Sequence, residues 1–194
     1  MQSLRKFIPW IILGLLVLWG TGGYNGMVNK EQEVNRTWAN VESDYQRRMD
    51  LIPNLVNTVK GYANFEQQTL TQVIQARASA TQVKLDVSNL TADKIAQFQQ
   101  AQNEVSSALS RLLVTVERYP ELKANQNFLD LQAQLEGTEN RISISRKRFN
   151  EAVGTYNSTI KRFPGNLIAS IGGFQEKGYF KAAEGADRPP EVKF

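Results

Sequence analysis

The sequence predicts an all-α protein: an N-terminal transmembrane helix, an elongated antiparallel bundle of three long helices, then a short C-terminal helix and tail. Three observations carry this. Residues 7–28 hold no charged side chain. Apolar residues then recur at spacings of three and four along most of residues 30–163, the period of one helix face. Proline and glycine fall at several breaks in that pattern. The boundaries read as a basic segment 1–6, a membrane helix 7–28, a helical bundle 29–171 and an extended tail 172–194.

The membrane segment follows Arg5 and Lys6, and its most apolar part runs from Phe7 to Trp19. A spanning helix needs about 20 mostly apolar residues, so the glycine-rich residues 20–28 must be included. Trp10 suits one headgroup level, and Tyr24 suits the other better than Trp19 does. The competing reading is a cleaved signal peptide, since small residues stand at Gly20 and Gly22. The anchor is favoured because helical periodicity resumes directly after Gly26. Arg5 and Lys6 place the N-terminus in the cytoplasm and the helical domain outside it, although Lys30 and Arg36 weaken that bias. Gly22-x-x-x-Gly26 fits a small-residue packing motif but reads first as a flexible exit from the bilayer.

The first helical run carries Trp38, Tyr45, Ile52, Val59 and Val73 in one seven-residue phase, with Val34, Val41, Leu55 and Tyr62 in the companion phase. Pro53 interrupts neither, so one long helix kinked near residues 50–53 is expected. Residues 30–83 would then span roughly 80 Å. The alternative is two coaxial helices, the second capped by Asp50. A second run covers about residues 91–117, with Thr91 as N-cap, Asp93 in the first turn and Tyr119-Pro120 as the stop. The third places Phe128, Leu135, Ile142, Phe149, Tyr156 and Phe163 seven apart and ends at Pro164-Gly165. Connectors at about 84–90 and 120–123 are short enough for antiparallel neighbours. Residues 166–171 suit a short fourth helix. The tail carries Phe174, Tyr179 and Phe180, which pack on the bundle or, as the rival reading, meet a membrane surface. Pro189-Pro190 disfavours helix near its end.

Chemistry is narrowed by what is missing. The chain has no cysteine and no histidine, which removes thiolate nucleophiles, zinc-thiolate sites and Ser-His-Asp or Cys-His catalysis. Net charge is +4, and the densest basic run, Arg146-Lys147-Arg148, reads as a solvated helix face. No nucleic-acid partner is expected, and no cofactor or metal. Glu136 and Glu139, one turn apart, make only a thin case for a divalent cation. Glu31, Arg48 and Glu66 fall on the apolar stripe of the first run, where a charge is expensive unless paired. Either they line a polar site inside the bundle, or the stripe is broad and they reach solvent at its edge or pair with Arg77, Arg111, Glu139 or Arg141 to fix register; the second reading is preferred.

The blocks Arg47-Arg48-Met49-Asp50-Leu51-Ile52-Pro53-Asn54-Leu55-Val56, Val59-Lys60-Gly61-Tyr62, Tyr119-Pro120-Glu121-Leu122-Lys123-Ala124-Asn125 and Thr138-Glu139-Asn140-Arg141-Ile142 resemble the LemA family of bacterial membrane proteins. Trp38, Ala76-Arg77 and the Arg148-Phe149-Asn150 to Tyr156-Asn157 stretch match as well. The resemblance covers nearly all of the chain after the anchor. It implies an anchored antiparallel helical bundle and no established enzymatic activity. The expected function is thus non-enzymatic: a single-pass protein of the bacterial cell membrane, held in lipid by residues 7–28. Its helical domain would form homo-oligomers or bind other membrane or envelope proteins, and its assembly would shape the membrane. The alternative is an adaptor with a ligand or protein site near Arg47, Arg48 and Asp50. Glu66, Glu139 and Arg141 complete the candidate partner-binding or register residues. A carboxylate hydrolase using Glu66 and Glu139 ranks last.

Overall fold

A computed structural model of the chain describes residues 2–61 and 66–181, the first five of these by backbone alone. The elements are α1 (Gln2–Lys60), α2 (Gln67–Gln82), a 3₁₀ turn η1 (Val87–Asn89), α3 (Ala92–Val116), α4 (Pro120–Lys123), α5 (Gln126–Lys161) and α6 (Gly165–Gly172). There is no strand among the described residues, so the class is all-α. The side chains of Arg5 and Lys6, together with Tyr62 and Pro189-Pro190, lie outside the described residues.

The chain divides into two compact units: Met1–Asp44 with Ile142–Lys177, and Tyr45–Arg141 with Gly178–Phe194. In the first unit α1 and α5 run antiparallel. Ser145 Oγ donates to Asp44 Oδ2 at 2.5 Å, and Trp38 meets Phe149 edge-on at 5.4 Å. Farther toward the N-terminus of α1, Met27 lies against Gly165. Val34, Trp38, Val41, Phe149, Val153 and Tyr156 are buried here. α6 closes this unit by packing on α1. Ile168 seats so tightly on Gly23 that a Cβ there would collide with its Cδ1. Gly173 ends α6 at φ 73°, a left-handed turn that glycine adopts without strain, and the Phe174 amide returns to the Ala169 carbonyl at 3.0 Å.

In the second unit α1, α2, α3 and the first half of α5 pack around one core that includes Ile52, Leu55, Val73, Val105, Leu112 and Phe128. α3 starts where Thr91 predicts, though the Thr91 side chain makes no capping bond. Asp86 instead caps η1, accepting from the Ser88 amide at 2.8 Å.

The expected single helix over residues 30–83 is corrected. α1 passes through Pro53 unbroken, ends at Lys60 and is followed by a turn at Gly61; α2 is a separate helix. Arg77 of α2 reaches Met49 of α1, so α2 folds back along α1. Heptad phase concealed this because the step from Lys60 to Gln67 is itself one heptad. Pro53 survives inside α1 for a related reason. It has no N–H, so the Met49 carbonyl loses its donor within the helix. Arg77 Nε supplies one at 3.0 Å. Asp50 caps no second helix; it accepts from Gln46 Nε2 at 2.7 Å.

One further expectation changes. The Gly22 to Gly26 segment is helix, not a flexible exit, because α6 packs across it. Two of the three tail aromatics pack on the helices as expected: Phe180 is buried against Phe98 at 6.3 Å and Phe174 meets Tyr24 in a tilted contact at 5.3 Å, while Tyr179 is exposed.

Candidate functional site

Arg48 projects from α1 into the interior of the second unit, with only 2% of its side chain accessible. Its Nη1 donates to Ser106 Oγ at 2.8 Å and to Glu139 Oε2 at 2.9 Å. Its Nη2 donates to Gln102 Oε1 at 2.6 Å and to the Gln102 carbonyl at 3.2 Å. The Tyr45 ring covers the guanidinium at 5.0 Å. One cation thus ties α1 to both α3 and α5. Nε is buried and lacks a partner among the described residues, which adds to the cost of holding this charge inside. Beside it opens a cleft of about 250 Å³ lined by Arg48, Ser106, Leu109, Leu135, Glu136 and Glu139.

The other candidate residues are dispersed. Arg47 and Asp50 are exposed on α1. Glu66 pairs with Arg118 at 3.1 Å, in a bridge exposed on both sides. Arg141 Nη2 donates to Thr138 Oγ1 at 3.0 Å. Only Arg48 and Glu139 are brought together. Glu139 is 55% exposed and both Arg48 Nη groups are held by acceptors within the unit, so the group links three helices and offers no nucleophile with an adjacent base. No cluster of three or more carboxylates able to hold a metal ion occurs among the described residues.

Sequence reasoning missed a second buried cation, in the first unit. Lys177, only 5% accessible, bonds Glu31 at 2.9 Å, which accounts for a carboxylate on the apolar stripe. Asn157 fixes the tail beneath it: its Nδ2 donates to the Lys177 carbonyl at 2.8 Å, and the Lys177 amide donates to its Oδ1 at 3.0 Å. The neighbouring Tyr156 hydroxyl donates to the Gln175 carbonyl at 3.0 Å. Burial, reinforced by the Glu31 carboxylate, pushes the Tyr156 phenol up to about 12. In the second unit Gln99 repeats the amide device, trading two 3.0 Å bonds with the backbone of Lys181. A polar residue within an apolar row, such as Gln102 between Ile95 and Leu109, was the available signal for the Arg48 partners.

α1 is the one helix, among the described residues, that is long and apolar enough to cross a membrane, and its apolar window is wholly exposed.

A family model described as the LemA family matches residues 37–194. Protein LemA of Metamycoplasma hominis is 24% identical over 180 residues, covering 92% of this chain and 78% of the relative. Magnetosome protein MamQ of Magnetospirillum gryphiswaldense is 26% identical over 183 residues, covering 86% of this chain and 67% of the relative. Magnetosome protein MamQ 2 of Paramagnetospirillum magneticum is 25% identical over 185 residues with the same coverage.

Proposed function

The chain belongs to the LemA family, and from that premise we propose that it is a non-enzymatic, single-pass membrane protein whose helical domain self-associates at the bilayer. The observation that carries this is the continuity of α1. The uncharged stretch 7–28 passes, without a linker, into the turns that bury Val34, Trp38 and Val41 in the first unit. A domain held this way keeps a fixed attitude to its anchor. Every copy is confined to one surface, so effective concentration is high and weak lateral contacts suffice for assembly. The polar groove of about 1050 Å³ between α2 and α3, rich in amides (Gln72, Gln75, Gln99, Gln100, Asn103), offers a surface for such contacts or for other envelope proteins. The membrane is the bacterial cell membrane, with the N-terminus cytoplasmic, the helical domain outside, and membrane shape responding to assembly. Light scattering on protein extracted in mild detergent tests the reading. Particles above monomer mass that dissociate on dilution support it, and a strict monomer at every concentration overturns it.

A further inference from the structure

α6 presents two different faces. Gly165, Ile168 and Ala169 follow the i, i+3, i+4 spacing and turn inward, with Ile168 on Gly23 and Gly165 beside Met27; Gly172, at i+7, is exposed at the edge of this face beside Tyr24. On the outward side, at 100° per residue, Leu167 and Ile171 share one half and Asn166 and Ser170 the other. Ile171 is 90% exposed, and Phe163, in the turn before α6, is 79% exposed. Both exceed the most exposed large apolar side chain of the span, Trp10 at 71%. No charged residue occurs from Phe163 to Gln175, and Arg162 precedes the stretch.

The position of α6 on α1 identifies the occupant. If the hydrocarbon begins near Phe7, a core of about 30 Å ends about 20 residues later, close to Met27. α6 contacts α1 at Gly23, Tyr24 and Met27, at the level where the span leaves the hydrocarbon. The exposed apolar half of α6 therefore lies at the depth of the lipid interface. We infer that α6 is an interfacial helix: Phe163, Leu167 and Ile171 enter the lipid surface beside the anchor, while Asn166 and Ser170 stay with water and headgroups. This rests on reading residues 7–28 as a bilayer span. Its consequence is a second, non-covalent attachment that fixes the rotation of the first unit about the anchor.

The chain has no native cysteine, so a single introduced thiol gives a clean label. Full-length I171C, L167C, L15C and E151C, each carrying an environment-sensitive fluorophore, are reconstituted in phosphatidylcholine–phosphatidylglycerol vesicles containing brominated lipid. Circular dichroism checks that each stays helical; all four positions are exposed. The inference expects quenching at positions 167 and 171 within about twofold of that at position 15, and none at position 151. Quenching at 15 without quenching at 167 and 171 overturns the interfacial helix and leaves the anchor standing. No quenching at any position overturns the anchor and this inference with it. Disulfide dimers of unlabelled I171C, with no lipid quenching, assign the face to a second copy and also overturn it.

Discussion

The bond between Arg77 and Pro53's orphaned carbonyl is open to a two-way test. Met49 is buried, and its carbonyl has no donor inside α1 because Pro53 lacks an N–H. Arg77→Met keeps much of the aliphatic packing but removes the 3.0 Å bond from Nε. Leaving a partly buried carbonyl without a donor costs about 2 kcal/mol. Pro53→Ala restores an amide at the position from which a helix normally bonds this carbonyl. Arg77→Met should then cost about 1 kcal/mol less in the presence of Pro53→Ala than in its absence. Urea unfolding of the four proteins in detergent, followed by helical circular dichroism, gives the coupling directly. Equal costs in both backgrounds would show that Arg77 acts through packing or general charge, and the account of how Pro53 is tolerated would be wrong.

Other outcomes follow from the same geometry. Arg48→Met leaves the buried Gln102 Oε1 without its donor and should cost about 2–3 kcal/mol, whereas Glu139→Gln, at a carboxylate 55% exposed, should cost under about 1 kcal/mol; the reverse order in denaturant midpoints would contradict the pinning role. Tyr156 keeps its proton to a higher pH when folded than when unfolded. Its contribution is therefore complete below about pH 10 and lost as pH rises toward about 12, on the order of 1–3 kcal/mol. Tyr156→Phe should flatten that alkaline decline in melting temperature. Asn157→Ala removes both bonds to the Lys177 backbone. It should raise hydrogen exchange at the Lys177 amide by about tenfold or more, with little change at amides in the middle of α3.

Much of the fold was legible because its causes are local. Apolar period, Tyr119-Pro120 and Pro164-Gly165 mark the ends of α3 and α5 through backbone sterics alone. The break after Lys60 was not legible, since a one-heptad connection leaves the stripe in phase and only the fold-back of α2 reveals it. The polar interior divides the same way. A cation at Arg48 on an apolar stripe demands a partner, and Glu139 was among the acids within reach of that argument. Gln102 stands out as a polar residue in an apolar row, but that it and Ser106 meet Arg48 depends on the register of α3 against α1, which no single run encodes. Lys177 lies in a stretch without periodicity, and its burial comes from Asn157 and Glu31, far off in sequence. Charge pairing across such distances is a tertiary fact.

The claim underneath these proposals is that the anchor and the first unit share one stiff helix. Spin labels at L15C and S43C in the full-length protein, in lipid nanodiscs, measure it by double electron–electron resonance. A straight α1 predicts one narrow distance population near about 42 Å, at ~1.5 Å per residue. A broad distribution at shorter distances, from a hinge among the glycines at 20–26, would contradict it.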